Sequence, residues 1–140
     1  MTRIRFLHSA PDRLHTAAAW VALCWQERRP LTIYAPGDLG ERLDRQLWTH
    51  NALSFVPHCR ADSPLANETP ILIDDRLDTL RQDQLLLNLS NELPPGFARF
   101  EELVEIVSTA DADKLPARER YKHYRERGYE LQNEDISGGF

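Results

Sequence analysis

Apolar residues recur along this chain with two periods, one typical of strands and the other of helices. A short alternating segment at residues 4–7 predicts the first strand, and residues 31–34 predict a buried second strand. Between them, apolar side chains recur every three or four residues from Pro11, which predicts an amphipathic helix ending near Arg29. A second helix is predicted after Pro36, with a leucine at every fourth position. The chain therefore begins in the order strand, helix, strand, helix.

Further strands are predicted in the second half of the chain. Residues 54–57 predict a third strand, and because Pro57 cannot donate a ladder hydrogen bond, this strand belongs at a sheet edge. Residues 59–69 are predicted to form a loop. The remaining apolar runs predict strands at residues 71–73, 85–89 and 103–107.

The last predicted helix has a proline near its start and a glycine at its end. Asp113 is the expected N-cap, which places Pro116 in the first turn, where a missing N–H costs nothing. Gly128 is the expected left-handed residue that ends the helix. Residues 132–140 are polar and contain glycine, so they are predicted to form a flexible tail.

The alternation of strands and helices predicts an α/β fold. Strands joined by helical crossovers pair in parallel, so we expect a Rossmann-like, mostly parallel sheet with helices on both faces. A chain of 140 residues is long enough to bury one core without disulfides or metals. We therefore predict a single domain over residues 1–131, followed by the flexible C-terminal tail at residues 132–140.

Charge is distributed unevenly along the chain. The whole chain carries a net charge of −5, whereas residues 114–127 hold six basic and two acidic side chains. Residues 114–127 of the last helix thus have a net charge of +4, and the remainder of the chain has a net charge of −9. A general nucleic-acid binder needs a broad basic surface to neutralise phosphates, so direct gripping of DNA by this helix is disfavoured. A local basic site for an acidic peptide fits better.

Candidate binding residues on the last helix are Lys114, Arg118, Tyr121 and Arg125, because their spacing puts them on one face. A guanidinium group pairs with a carboxylate through two hydrogen bonds, and a tyrosine ring supplies an apolar wall. The face therefore suits a ligand that offers both a carboxylate and an apolar ring. The alternative is a solvated helix face. The neighbouring edge of the helix carries Ala117, Tyr121, Tyr124 and Gly128.

Motifs for nucleotide or metal chemistry are missing or incomplete. The chain contains neither G-x-G-x-x-G nor G-x-x-x-x-G-K-[ST], so it lacks the usual phosphate-binding loop. Asp74 and Asp75 resemble a Mg²⁺ pair but have no such loop beside them. His58 and Cys59 are adjacent, and adjacent residues of an extended chain point to opposite faces. We expect no cofactor; the alternative is a small nucleotide-binding enzyme without a recognisable phosphate loop.

A second candidate surface lies around Trp48, Phe55 and Val56. Core packing is the default expectation for a tryptophan on an amphipathic helix. Phe55 and Val56 point to opposite sides of the predicted edge strand, so one of them is expected to be exposed. Because aromatic residues are enriched in interface cores, this surface is a candidate partner site.

The cellular setting is predicted from what the chain lacks. Cys24 and Cys59 form no C-x-x-C motif, which is typical of a reduced protein. No apolar run resembles a signal peptide or approaches the roughly 18 residues of a membrane span. We therefore expect a cytoplasmic protein that does not contact a membrane.

Three segments together resemble the chi subunit family of the bacterial DNA polymerase III holoenzyme. They are Leu-Asp-Arg-Gln-Leu-Trp at residues 43–48, Ser-Phe-Val-Pro-His at residues 54–58, and Ala-Arg-Glu-Arg-Tyr-Lys-His-Tyr-Arg at residues 117–125. Their order and spacing match, and the resemblance spans nearly the whole chain. In combination these motifs are more specific than the Rossmann-like pattern, which many unrelated proteins share.

The resemblance implies a non-catalytic accessory subunit of the clamp loader within a DNA-directed DNA polymerase. Such a subunit forms a one-to-one heterodimer with the psi subunit, reaches the clamp loader through psi, and contacts DNA mainly indirectly. It also binds the acidic C-terminal tail of the single-stranded-DNA-binding protein. By resemblance, Lys114, Arg118 and Tyr121 receive that tail, and Trp48 and Phe55, with the adjacent Val56, meet psi. Arg125 is added from helix geometry alone.

Overall fold

The computed structural model describes residues 1–50, 57–60, 63, 70–77 and 82–139. Within them lie seven strands, three α-helices and a short 3-10 helix at Phe97–Arg99. The helices are α1 Arg13–Gln26, α2 Leu39–His50 and α3 Asp111–Glu126. The strands are β1 Arg3–Ala10, β2 Leu31–Tyr34, β3 His58–Arg60, β4 Ile71–Asp74, β5 Leu85–Asn88, β6 Glu102–Ser108 and β7 Glu130–Asp135.

The described strands form one sheet in the order β3-β4-β2-β5-β6-β1-β7, and every pair in it is parallel. The predicted α/β fold is confirmed. One buried cluster packs α1 and α2 against residues such as Ile33 and Val104. A second cluster on the opposite face packs Ala117 and Tyr124 of α3 against Phe6. Helices therefore cover both faces of the sheet, as expected.

The last helix begins earlier than the sequence predicted. Its first residue is Asp111 and its N-cap is Ala110, so Asp113 is not the cap. The Asp113 carboxylate instead accepts a hydrogen bond from the Ser108 hydroxyl. Pro116 consequently stands in the second turn, where its missing N–H leaves one helical hydrogen bond unmade. The predicted end is confirmed, since Gly128 has a φ of +83° and donates its N–H to the Arg125 carbonyl.

Of the strand predicted at residues 54–57, the structure describes only Pro57, and β3 begins directly after it at His58. Residues 51–56 fall outside the described residues, and Pro57 precedes β3 rather than ending a strand. Two residues of the predicted loop, Cys59 and Arg60, therefore belong to β3, which pairs with β4 at the sheet edge. The predicted edge position is correct.

Strand β7 corrects the predicted tail. Residues 132–135 belong to β7, which runs parallel to β1 along the full length from Glu130 to Asp135. Apart from Leu131, its side chains are polar and mostly exposed, so it lacks the apolar alternation by which strands are recognised. The strand is held by backbone pairing, and Ile136 just beyond it is buried in the first cluster.

A buried carboxylate joins α3 to the sheet. Glu105 of β6 is 0% exposed, and its oxygens accept hydrogen bonds from Arg120 Nε at 3.0 Å and Nη2 at 3.1 Å. The Tyr124 hydroxyl donates at 2.8 Å, and Asn88 Nδ2 lies 3.0 Å and 3.2 Å from the two oxygens. Burial, with the charge and hydrogen bond of Glu105, raises the pKa of Tyr124, so this phenol remains a donor. The carboxylate charge is fully paired.

Removing one partner of this buried pair should destabilise the fold. We expect Arg120→Ala to lower the free energy of unfolding by about 3–5 kcal/mol, because Glu105 would keep an uncompensated charge in the core. Urea unfolding followed by circular dichroism measures the effect. Arg118→Ala is the matched control, since this exposed arginine of the same helix should change stability by about 0.5 kcal/mol or less. Equal stabilities for the two variants would contradict the assignment.

Candidate functional site

A groove of about 270 Å³ opens at the carboxyl ends of β1 and β6, beside the first half of α3. We call it the β1–α3 groove. It is formed by four elements: β1, β6 with the residue after it, α3, and β7. Its lining residues are Phe6, His8, Ser9, Val107, Ser108, Thr109, Lys114, Ala117, Arg118, Tyr121 and Asn133.

The position of the groove follows from the topology of the sheet. Strands β1 and β6 are neighbours, but β1 leads into α1 on one face and β6 leads into α3 on the other. The chain therefore diverges between the carboxyl ends of these two strands. In open α/β sheets, such a switch point leaves a crevice in which ligands bind.

Three of the four predicted tail-binding residues line this groove. Lys114, Arg118 and Tyr121 come together there, as their helical spacing predicted. Arg125 is exposed near the end of α3 and is not among the residues that line the groove. Tyr124, predicted on the aromatic edge of the helix, is instead buried against Glu105.

The Tyr121 ring is fixed by contacts from two strands. Its ring centroid lies 5.1 Å from that of Phe6, with the rings edge to face. Its hydroxyl accepts a hydrogen bond from Asn133 Nδ2 of β7 at 3.1 Å. These contacts orient one aromatic wall of the groove. Sequence reasoning missed Phe6 and Asn133, because neither lies on α3 and no local pattern marks them.

The end of β1 contributes two adjacent residues to the groove. Pairing between β1 and β6 shifts register between Leu7 and Ala10, and Ser9 has a left-handed backbone with φ of +67°. This irregularity breaks the usual alternation of strand side chains, so both His8 and Ser9 line the groove. His8 Nδ1 and Ser9 Oγ are 2.9 Å apart and form a hydrogen bond.

The charges of the groove favour an anionic ligand. Lys114 and Arg118 are cationic, and no carboxylate is among the described residues that line it. The nearby Asp113 carboxylate is occupied by Ser108, and it also lies 3.8 Å from Arg13 Nη1. A carboxylate beside an apolar ring would find cations, an aromatic wall and the methyl group of Ala117 in one place.

The same switch point offers few favourable contacts to a phosphate group. The turn after β1 contains Pro11, which has no N–H, and Asp12, whose carboxylate accepts the His15 N–H at 2.8 Å. The N-terminus of α1 is therefore capped by an acid of the chain itself. The first turn of α3 carries Asp111 and Asp113, which repel phosphate as well.

The described residues do not form a recognisable metal-binding site. None of their His, Cys, Asp and Glu side chains form a group of three or more that could hold a metal ion. At the end of β4, an Asp74 carboxylate oxygen accepts the Arg76 backbone N–H at 3.1 Å. None of the helices that the structure describes is long and apolar enough to cross a membrane.

The second predicted surface is only partly described. Trp48 of α2 is 58% exposed, contrary to the default expectation of core packing. Its ring lies edge to face against His58, at 5.9 Å between centroids, and His58 Nε2 lies 2.7 Å from Asp44 Oδ1. Phe55 and Val56 lie outside the described residues. An exposed tryptophan held by a hydrogen-bonded histidine is well suited to contact a partner.

The fold and the groove together define a Rossmann-like α/β protein with a basic, aromatic cleft and no phosphate loop. A family model described as "DNA polymerase III chi subunit, HolC" matches residues 1–132. The chain therefore belongs to the DNA polymerase III chi subunit family, whose members are accessory subunits in DNA replication.

Individual relatives agree with this family. The chain is 30% identical to the DNA polymerase III subunit chi of Pseudomonas aeruginosa over 95% of its length and 96% of the relative. It is 35% identical to that of Haemophilus influenzae over 67% of its length and 66% of the relative. It is 37% identical to that of Escherichia coli, over 64% and 62% respectively.

The exposure of Trp48 can be tested by comparison with a buried tryptophan. We expect Trp48→Ala to cost about 1 kcal/mol or less, because little apolar area is lost from the core. Trp20 of α1 is 5% exposed, so Trp20→Ala should cost about 3–5 kcal/mol. Urea unfolding of both variants measures the difference. A large loss for Trp48→Ala would mean that this residue packs in the core.

Proposed function

We propose that this protein is a non-catalytic adaptor that connects single-stranded DNA, coated by its binding protein, to the clamp loader. The proposal assigns the acidic C-terminal tail of the single-stranded-DNA-binding protein to the β1–α3 groove, and the psi subunit to the Trp48 surface. The proposal rests on one observation: Lys114, Arg118 and Tyr121 line a single groove together with Phe6.

Each part of the proposed tail has a matching group in the groove. The carboxylate of a terminal phenylalanine pairs with the Arg118 guanidinium, and the phenyl ring packs on Tyr121 and Phe6. Lys114 attracts the acidic residues upstream of the ring. In this mode of peptide recognition, the protein binds the C-terminal carboxylate, and the apolar phenyl ring fixes the position of the peptide in the groove.

Affinity for one such tail should be modest. A short peptide with one ion pair and one aromatic anchor typically binds with a micromolar Kd, or about −8 kcal/mol. A coated DNA strand presents several tails close together, and this raises the effective concentration for rebinding. The adaptor can thus stay near the strand while individual contacts exchange.

The proposed psi contact uses Trp48, with Phe55 and Val56 as its neighbours in sequence. Trp48 presents an aromatic ring to solvent on α2, which belongs to the sheet face opposite α3. The two surfaces are therefore separate, and one chain can hold psi and a tail at the same time. In this arrangement the chain reaches the clamp loader through psi and contacts DNA mainly indirectly.

Two other functions have weaker support. A nucleotide-binding enzyme would use the same switch point, but Asp12 caps α1 and acids occupy the first turn of α3. Direct binding of DNA by α3 would use the exposed cations of this helix. The rest of the chain carries a net charge of −9, which would repel the phosphates. If α3 bound DNA directly, the protein would bind bare single-stranded DNA as well as it binds coated DNA. It would also bind equally well to DNA coated by a binding protein that lacks its C-terminal tail.

Tail binding is tested by fluorescence anisotropy with a labelled acidic peptide from that tail, ending in phenylalanine. We expect saturable binding that weakens between about 50 and about 200 mM salt. Arg118→Ala should weaken it about 30-fold or more, because a charge-assisted pair with the terminal carboxylate is lost.

Two controls separate the groove from general charge attraction. Arg42→Ala removes an exposed arginine from α2 and should leave peptide binding unchanged. The same peptide with a C-terminal amide should bind as weakly as the acid peptide binds to Arg118→Ala. No binding by the wild-type protein would reject the tail assignment.

Psi binding is tested separately by co-expression with tagged psi and quantitative pull-down. We expect Trp48→Glu to reduce recovered complex at least about 10-fold, since a charge would replace an interface aromatic. Arg118→Ala should recover as much complex as the wild type. Full recovery with Trp48→Glu would place the psi contact elsewhere.

A further inference from the structure

The groove contains a histidine, His8, that the family resemblance does not assign. Phe6 and His8 share the α3 face of β1 by strand alternation, and the irregularity at Ser9 adds a second side chain beside His8. The hydrogen bond between His8 Nδ1 and Ser9 Oγ restricts the imidazole ring. A left-handed conformation at a non-glycine residue is costly, and such positions cluster at binding sites.

The surroundings of His8 are cationic on one side and acidic on the other. From α3, the charged residues that line the same groove are Lys114 and Arg118, and Tyr121 adds a phenol hydroxyl. From β7, Asp135 pairs with His8 in the strand register, and the Ser137 backbone N–H lowers the pKa of its carboxyl. From β6, the lining residues do not titrate, although Asp113 of α3 contacts one of them, Ser108.

His8 is the one histidine among the described residues that line the groove, and histidine is the residue type whose charge can change near physiological pH. The carboxyl groups of a peptide ligand ionise well below that pH. A change of affinity with pH in this window would thus report the protonation of His8.

We infer that His8, positioned by Ser9, is a second cationic contact, beside Arg118, for the terminal carboxylate of the peptide, which makes peptide binding tighter as the pH falls. In the empty groove, Lys114 and Arg118 oppose a further positive charge. A bound carboxylate offsets that repulsion, so binding and proton uptake favour each other. This inference rests on the proposed function, because it concerns the same ligand in the same groove.

The test measures the Kd of the labelled acid peptide at about pH 6, 7 and 8 at constant ionic strength. For the wild type, we expect binding about 3–10-fold tighter at the lowest pH than at the highest, as one added ion pair would give. His8→Gln should bind equally at each pH, with the weak affinity that the wild type has at high pH. His8→Lys should also be independent of pH, but should bind tightly throughout.

Two controls use the same assay. His123→Gln changes a histidine of α3 that does not line the groove, and it should keep the wild-type pH dependence. The amide peptide should show no pH dependence with the wild type, because the carboxylate that His8 contacts is absent. Urea unfolding of His8→Gln and His8→Lys, at both pH extremes, verifies that each variant is folded under the conditions of the assay.

The outcomes separate this inference from the function on which it rests. A wild type that binds the acid peptide equally at each pH overturns the role of His8 and leaves tail binding intact. The same holds if folded His8→Gln keeps the full pH dependence, or if the amide peptide shows it too. Absence of binding at every pH overturns both. If His8→Gln and His8→Lys both fail to fold, an unchanged histidine NMR titration on adding peptide to the wild type overturns the role of His8.

Discussion

The buried carboxylate of Glu105 is the interaction on which the geometry of this protein depends. It lies on β6, an interior strand between β5 and β1, and Arg120 and Tyr124 reach it from consecutive turns of α3. A charge buried in this way must be paired, so α3 can dock in only one rotation about its axis. That rotation turns the adjacent helix face, with Arg118 and Tyr121, towards the carboxyl ends of β1 and β6.

The groove is a property of several elements rather than of the basic helix alone. The divergence of the chain after β1 and β6 opens a crevice, α3 supplies the cations, and β7 closes the other side with Asn133. Strand β7 has little apolar character of its own and is held to β1 by backbone pairing. A mostly exposed edge strand thus helps to shape the groove by orienting Tyr121.

The crevice of this common architecture suits a carboxylate ligand better than a phosphate, because local details at the switch point differ from those of nucleotide-binding proteins. Glycines and a free helix N-terminus are what a phosphate needs, and this chain has Pro11 and the capping Asp12 in their place. Lateral cations and an aromatic wall on α3 suit a carboxylate with a ring instead. Function follows from the residues at the crevice, while the sheet supplies only the crevice.

Local and periodic features were determined by the sequence itself. The two hydrophobic periods predicted the order of most strands and helices, and helical spacing alone grouped Lys114, Arg118 and Tyr121. Tertiary structure decided which face of α3 is buried, because that face pairs with Glu105 on β6. The apolar run around Glu105 gives no sign in the sequence that its partner is Arg120. It also decided the place of β7, which pairs with β1 through backbone hydrogen bonds and has no apolar alternation of its own. Contacts between distant segments have no local pattern, so only folding brings them together.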